Sequence, residues 1–168
     1  MWLAAGGILA VLVVVGIFFA TRGPGLGEEE AVIKRLEDDF EAKYKVDENN
    51  HVQRLELEGP HVTDEALRDV VKLKFVKELS LARSSVTDAG LEQLREMKRL
   101  QGLGITDTTV SDKGLKQLEK LRTLRHLWLC ETPSLTKEAI ASFKRLSPGV
   151  TVYVMNAPKK KADEKDKK

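Results

Sequence analysis

The sequence predicts an α/β solenoid of about four strand–helix units preceded by a transmembrane helix. A repeated phrase and an apolar segment are the basis for this fold class. One phrase recurs with a period of about 24 residues, which lies in the range typical of stacked repeats. Its clearest copy begins at Val76 and reads VKELSLARSSVTDAGLEQLREMKR. Residues 2–20 contain no charged, amide or hydroxyl side chain, which is typical of a membrane span. Because a repeat array presents an extended surface, the sequence favours binding over catalysis.

Each unit joins a strand pattern to a helix pattern. Its first half alternates apolar and polar residues, and its second half places apolar residues three apart, so a strand is followed by a short helix. The apolar columns repeat at the period of the phrase, with one inserted residue before the last copy. These columns are Leu55, Leu79, Leu103 and Leu127; Leu57, Leu81, Ile105 and Leu129; and Val62, Val86, Val110 and Leu135.

Three further columns mark the start of each helix. A hydroxyl residue stands where it can accept from the free N–H groups of the first turn, an aspartate next to it faces the positive end of the helix dipole, and a small residue follows. Glycine costs about 1 kcal/mol relative to alanine inside a helix, so the small column predicts close packing between helix and strand layer. The columns are Thr63, Thr87, Ser111 and Thr136; Asp64, Asp88 and Asp112; and Ala66, Gly90, Gly114 and Ala139.

These columns together resemble the leucine-rich repeat, LxxLxLxxN/CxL, over residues 52–155. The chain departs from the family pattern at the asparagine or cysteine position, where it has Pro60, Ser84, Thr108 and Thr132. The VTDAGL segment is similar to bacterial repeats and to the cysteine-containing repeats of F-box proteins. This resemblance implies a curved stack with a parallel sheet on its concave side, helices outside, and a role in binding.

The ends of the array carry different patterns. Apolar residues spaced three and four apart in 28–44 predict an amphipathic helix, and Asn49 and Asn50 fit a tight turn before the first repeat. Alternating valines from Val150 predict a last strand, and the lysine-rich end predicts disorder. The predicted organisation is a transmembrane anchor at 1–21, a Gly/Pro linker at 22–27, an N-terminal helix and hairpin cap at 28–51, leucine-rich repeats at 52–148, a C-terminal capping strand at 149–156 and a disordered charged tail at 157–168.

The apolar segment 2–20 would span about 28 Å as a helix, close to the thickness of the hydrocarbon layer. A cleaved secretory signal is the alternative, but the start lacks basic residues, so we expect a retained single-pass anchor. Arg22, Lys34 and Arg35 follow the span and favour a cytoplasmic domain, although this count leaves the side open. Cys130 is the only cysteine, so no internal disulfide reports the compartment.

Function is expected on the strand face opposite the core, where the repeat varies. Alternation places the charged residues of the first strands at one end of this face, small residues in the middle and aromatic residues at the far end. Trp128 and Tyr153 are candidate anchors beside a glycine depression, and Trp128 alternatively fills the space above Gly104. The candidate partner-binding residues are Gly102, Gly104, Thr106, His126, Trp128, Cys130 and Tyr153.

Other function classes find little support in the sequence. His126 and Cys130 lie about 13 Å apart along one strand, too far for a nucleophile and its base, and no metal or cofactor motif is present. The basic excess of 49–168 lacks the interleaved aromatics that stacked nucleic acid bases need. We therefore expect a membrane-anchored, noncatalytic scaffold that binds a protein partner. A secreted or periplasmic recognition module and a rigid spacer remain as alternatives.

Overall fold

The computed structural model describes residues 29–130 and 132–155, and the predicted anchor, linker and charged tail lie outside them. Within these residues the chain forms six strands, five α-helices and a short 3-10 helix. In chain order they are α1 (Glu29–Phe40), β1 (Lys43–Val46), β2 (Val52–Glu58), α2 (Asp64–Val70), β3 (Glu78–Ala82), α3 (Asp88–Gln93), the 3-10 helix (Leu94–Glu96), β4 (Gly102–Thr106), α4 (Asp112–Leu118), β5 (His126–Cys130), α5 (Lys137–Leu146) and β6 (Thr151–Met155).

The strands form one sheet in the order in which they occur in the chain. The hairpin pair β1 and β2 is antiparallel, and every later pair is parallel. Strands β2 to β5 pair with a shift of one repeat, so each leucine of the phrase lies beside its counterpart. The step from β5 to β6 is one residue longer, because Leu127 pairs with Val152.

The core lies between the sheet and the helices, as the repeat predicts. Each unit contributes leucines from its strand and helix, and these side chains are almost fully buried. The largest fully buried side chains are Phe143, Leu36, Leu55, Leu57, Leu67, Leu73, Leu81, Leu91, Leu94, Leu100, Leu103 and Ile105. Because these residues come from neighbouring units, no unit completes its core without the next.

Helix α1 covers the N-terminal end of this core, with Leu36 and Phe40 buried. The apolar spacing had extended this helix to Tyr44, but the structure ends it at Phe40 and places Tyr44 in β1. Glu41 adopts a positive φ of 50°, and the N–H of Ala42 donates to the carbonyl of Leu36. This bond closes the last helical turn, and the chain then reverses directly into β1.

The C-terminal end is less covered. Strand β6 forms the edge of the sheet, and Val154 on it is 42% exposed. Leu146 at the end of α5 is 59% exposed. The two ends of the described solenoid therefore differ, since a helix covers the first while apolar side chains remain exposed at the last.

The predicted α/β repeat solenoid is confirmed, since a mostly parallel sheet alternates with helices in a leucine-rich-repeat-like arrangement. The transmembrane helix of the prediction falls on residues outside the described part. Among residues 29–130 and 132–155, no helix combines the length and apolar character needed to cross a membrane.

Candidate binding surface on the concave sheet

Hydrogen bonds between the helix starts hold successive units in register. The carboxylate of Asp64 accepts from the N–H of Thr87 at 2.8 Å and from its hydroxyl at 2.6 Å. Asp88 accepts in the same way from Ser111, at 2.9 and 2.6 Å. Asp112 accepts from Thr136, at 2.8 and 2.7 Å. We call this set of three aspartates and their partners the helix-start ladder, and it fixes the strands that carry the candidate surface.

The ladder explains the small column differently from the sequence. We expected glycine to allow close packing between helix and strand layer. Instead, a Cβ atom on Gly90 would lie 2.2 Å from Oδ1 of Asp64, and one on Gly114 would lie 2.3 Å from Oδ1 of Asp88. Ala66 needs no such space because no ladder aspartate precedes it. Ala139 follows Asp112 but lies at a different cap, where its own N–H donates to the hydroxyl of Thr136. Lys137 replaces aspartate in the last helix, which has no later repeat helix to bond among the described residues.

The concave face is the strand face opposite the core. The pairing register brings the polar side chains of β2 and β3 beside the glycines of β4 and the aromatic side chains of β5 and β6. Across this face, Ser80, Gly104, Trp128 and Tyr153 form one row of neighbours. The surface therefore changes from charged to aromatic over the width of the sheet, as alternation predicts.

Three rings cluster at the C-terminal end of this face. The ring centroids of Trp128 and Tyr153 are 5.6 Å apart at an interplanar angle of 10°. The His126 ring lies 5.8 Å from that of Trp128 and 6.1 Å from that of Tyr153. Tyr153 is 41% exposed and Trp128 is half-buried. We call these three residues the aromatic cluster; mutual stacking limits the rotamers they can adopt, so they form an ordered apolar platform.

The glycines of β4 border this cluster in two different ways. A Cβ atom on Gly102 would lie 3.0 Å from Cζ3 of Trp128, whereas one on Gly104 would first meet Oγ of Ser80 at 3.6 Å. The indole therefore leans over Gly102, and the expectation that it fills the space above Gly104 is wrong. An open groove of about 370 Å³ lies above Gly104. Its walls include Trp128 on one side and Glu78 on the other.

The charged end of the concave face is largely self-paired. Arg54 forms an ion pair with Glu78, and Arg83 forms one with Glu58. Exposed pairs of this kind contribute little to stability, because solvent screens them and two long side chains must be ordered. Their effect is to neutralise this end of the face, so that the aromatic cluster provides its main apolar contact area.

The candidate residues differ in accessibility. Gly102 and Cys130 are buried, although alternation placed both on the outward face. Gly104 and Thr106 are half-buried, and His126 is exposed. Gly102 is covered because the indole lies on it, as described above. Binding by the seven residues stays a prediction. The accessible ones are the aromatic cluster together with Gly104 and Thr106, which we call the groove floor.

Titration behaviour is perturbed at the N-terminal cap. The N–H of His51 donates to Asp47 and lowers the pKa of that carboxyl, with a further bond from the N–H of Asn49. Partial burial, followed by the charge of Asp38, raises the pKa of Glu37. Partial burial also raises the pKa of Tyr44, and nearby carboxylates raise it further. In the described part of the chain, no group of three or more His, Cys, Asp or Glu side chains is placed to hold a metal ion.

Sequence reasoning missed a backbone feature at the end of each strand. Gly59, Arg83 and Asp107 follow β2, β3 and β4, and their φ angles are 110°, 52° and 50°. Their regular spacing, one repeat apart, was available from the sequence. Their side chains share no property, however, so the shared left-handed conformation gave no signal. The buried hydroxyls of Ser84 and Thr108 follow directly and bond no other described group.

The fold and this face define a leucine-rich-repeat-like solenoid with an aromatic concave surface. Its structure is similar to a tropomodulin C-terminal domain of Caenorhabditis elegans, with a TM-score of 0.51 and 15% identity over 79% of this chain and 85% of that one. It is also similar to actin-binding site 2 of leiomodin-1, with a TM-score of 0.50 and 15% identity over 77% of this chain and 79% of that one. At this identity the likeness shows the fold alone.

These comparisons correct the family assignment made from the repeat phrase. No protein-family profile and no curated protein matches the sequence. The structural neighbours are tropomodulin and leiomodin domains, which are leucine-rich-repeat-like but form a distinct family. The assignment to the bacterial-type repeats similar to the F-box subfamily is therefore wrong. The aspartate and glycine of its VTDAGL signature are explained by the helix-start ladder, because Gly90 and Gly114 leave room for the aspartate of the preceding unit.

Proposed function

We propose that this protein is a noncatalytic binding module that captures a protein partner on its concave sheet. The observation that carries the proposal is the aromatic cluster, which is exposed beside an open groove and is ordered by its own stacking. Aromatic residues in such positions provide most of the energy in many protein interfaces. Because their rings have few rotatable bonds, ordering them on binding costs little entropy.

The neighbouring structures support a protein partner. One of them is described as an actin-binding site of leiomodin-1, so a solenoid of this shape serves protein binding elsewhere. The shared geometry is the stack itself, since the sequences are only 15% identical. The partner of this chain is therefore expected to be a protein, selected by the side chains of its own concave face.

Substitution of the aromatic cluster tests the proposal. We expect Trp128→Ala and Tyr153→Ala each to reduce recovery of partners by proximity labelling at least tenfold, since hot-spot residues contribute about 2 kcal/mol or more. Tyr44→Ala is the matched control, because Tyr44 is exposed to a similar degree, 38% against 41% for Tyr153. Tyr44 pairs with Leu55 in the sheet and so lies on the opposite face.

The rigid-spacer alternative makes the opposite prediction for the same experiment. If the domain only separates other parts of an assembly, both aromatic variants retain every partner recovered with the wild-type chain. Equal losses in the Tyr44→Ala control and the cluster variants would also contradict a concave binding site. Circular dichroism of each variant separates loss of binding from loss of folding.

We further propose that residues 2–20 hold the chain in a membrane as a single-pass anchor. The uncharged composition and length of this segment support the proposal. Resistance of the chain to alkaline extraction from membranes is the expected result, with an intact N-terminus by mass spectrometry. A mature chain that begins after residue 20 would instead support the secreted or periplasmic module. Protease access to a C-terminal tag in sealed vesicles determines the side on which the domain lies.

A further inference from the structure

Basic side chains collect along one edge of the solenoid, where each helix leads to the next strand. Lys74, Lys98 and Arg122 occupy the first position of the same turn in three consecutive units. All three are exposed. Because neighbouring strands are only about 5 Å apart, the repeat places side chains of the same charge next to one another in a column. Such an arrangement is unfavourable unless anions neutralise it.

Two adjacent grooves flank this column. One, of about 490 Å³, is bordered by Lys74, Lys98 and Arg99, and the other, of about 410 Å³, by Arg95, Lys98, Lys120 and Arg122. Glu96 and Glu119 are the acidic side chains on their walls. We call the six basic residues the basic edge: Lys74, Arg95, Lys98, Arg99, Lys120 and Arg122.

Within the described part of the chain, most of this charge has no ion-pair partner. Arg95 forms an ion pair with Glu92 at 3.0 Å, and the other five residues of the basic edge form none with any described residue. Lys98 and Lys120 donate only to neutral acceptors, a backbone carbonyl and an amide side chain. Helix dipoles explain cations only within the last helical turn. Lys74 and Arg122 lie four residues beyond the ends of α2 and α4, so the helix dipole does not explain why these positions are basic.

Nucleic acid fits this edge poorly. The aromatic side chain on its groove walls is Phe75. Its ring stacks on that of His51 at 3.7 Å and carries the Arg99 guanidinium 4.6 Å from its centroid. Phe75 therefore orients Arg99 and is not free to stack a base, whereas sequence-tolerant binding of single strands depends on such stacking.

A membrane surface fits better because of the chain that precedes the domain. Eight residues, 21–28, separate the apolar segment 2–20 from α1. Fully extended, they reach at most about 29 Å, so an anchored domain stays close to the bilayer. The count of positive residues after the span favours the cytoplasmic side, where the leaflet carries anionic lipid.

We propose that the basic edge docks on the anionic lipid headgroups of the membrane in which the chain is anchored. This inference rests on the proposed anchor, and it adds an orientation to the proposed function. The basic edge lies at the start of the parallel strands, so docking leaves the concave sheet and its aromatic cluster open to a partner. The membrane would thus present the binding face sideways rather than cover it.

The test uses the full chain in vesicles of phosphatidylcholine, with or without phosphatidylserine. A polarity-sensitive fluorophore is attached to Thr123→Cys on the basic edge, or to Ser85→Cys at the opposite edge, in a Cys130→Ser background. We expect a blue shift for the Thr123 probe only with phosphatidylserine. High salt should reverse it, since the Debye length falls to about 3 Å at 1 M. The Ser85 probe should not respond.

Charge removal gives the quantitative result. The triple variant Lys74→Gln, Lys98→Gln and Arg122→Gln should lower the docked-to-free ratio about a hundredfold, at roughly fivefold per charge. The matched control neutralises three exposed lysines on the helices, Lys113→Gln, Lys116→Gln and Lys137→Gln, and should retain docking. An equal shift without phosphatidylserine, or an unchanged triple variant, overturns the proposal. A probe response to an RNA oligonucleotide but not to phosphatidylserine overturns it in favour of nucleic acid.

Failure of the anchor gives a different result. If the chain does not float with pure phosphatidylcholine vesicles, the anchor proposal is wrong. The basic edge then predicts flotation with phosphatidylserine vesicles alone, and the triple variant should abolish it. Absence of that flotation as well would refute docking independently of the anchor.

Discussion

The helix-start ladder and the concave face follow opposite rules, although the same units build both. In the ladder, Asp88 and Ser111 repeat a contact that Asp64 and Thr87 already make one unit earlier. On the concave face, Ser80, Gly104 and Trp128 lie in one row and share no chemical property. The difference shows that the repeat stabilises the stack at the helix starts and leaves its open face free to vary.

The two regions should therefore respond differently to substitution. Changes in the ladder should lower the free energy of unfolding, because each aspartate bonds a neighbouring unit. Changes in the aromatic cluster and at Gly104 should alter binding with little effect on folding, because these positions are exposed or half-buried.

Gly114→Ala should destabilise the protein by about 2 to 4 kcal/mol, since the new Cβ would lie 2.3 Å from Oδ1 of Asp88 and displace its two charge-assisted bonds. Without this clash, alanine would stabilise the helix by about 1 kcal/mol relative to glycine, so the sign of the change in unfolding free energy shows whether the clash occurs. Urea unfolding measures the change. Gly149→Ala is the control, because its Cβ meets nothing within 4 Å, and it should stay within about 0.5 kcal/mol of wild type.

Asp88→Ala should cost about 2 kcal/mol, because Ser111 loses the acceptor of its N–H and hydroxyl. The same variant removes the nearest contact of a Cβ on Gly114 and leaves Cγ1 of Val110 at 2.9 Å. In the Asp88→Ala background, Gly114→Ala should therefore cost less than it does in wild type, and a double-mutant cycle measures this coupling. Additive effects of the two substitutions would contradict the assignment of glycine to the ladder.

The hairpin of the N-terminal cap should lose stability in acid through Asp47. Its pKa lies below the usual 3.8 because the N–H of His51 bonds the charged form. The stabilisation is complete above that value and is lost as the pH falls through the lower folded pKa. Urea unfolding across acidic pH should show this loss in wild type and not in Asp47→Ala. Glu37→Gln should change stability in the opposite direction. Because partial burial raises the pKa of Glu37, its charged form lowers the free energy of unfolding, and neutral glutamine should remove that loss.

Gly104→Ala should have the smallest effect on stability, and its sign should be favourable. The added Cβ would meet Oγ of Ser80 at 3.6 Å, an ordinary contact, and alanine in a strand gains roughly 0.5 to 1 kcal/mol over glycine. The methyl group would nevertheless reduce the groove beside Trp128 and weaken partner capture. A stabilised variant with undiminished binding in the proximity-labelling assay would show that the groove floor takes no part in the interface.

Much of the fold was predictable because its signals are local or periodic. Leu79 and Leu103 align at a fixed step and pair in the sheet as that step requires. Thr87 marks a helix start by its own side chain, which accepts from the N–H of Ala89. The candidate face followed from alternation, which placed Trp128 and Tyr153 as neighbours.

The amino-acid sequence was enough to specify the repeat, its strand and helix, and the face on which it varies, because each depends on spacing along the chain. The contacts of the repeated and variable positions came from the tertiary structure. It gave Asp88 a partner in the next unit, laid the indole of Trp128 over Gly102, and placed the ring of Phe75 between His51 and Arg99. These contacts depend on how side chains of different units meet across the stack, and no spacing within one unit specifies that geometry.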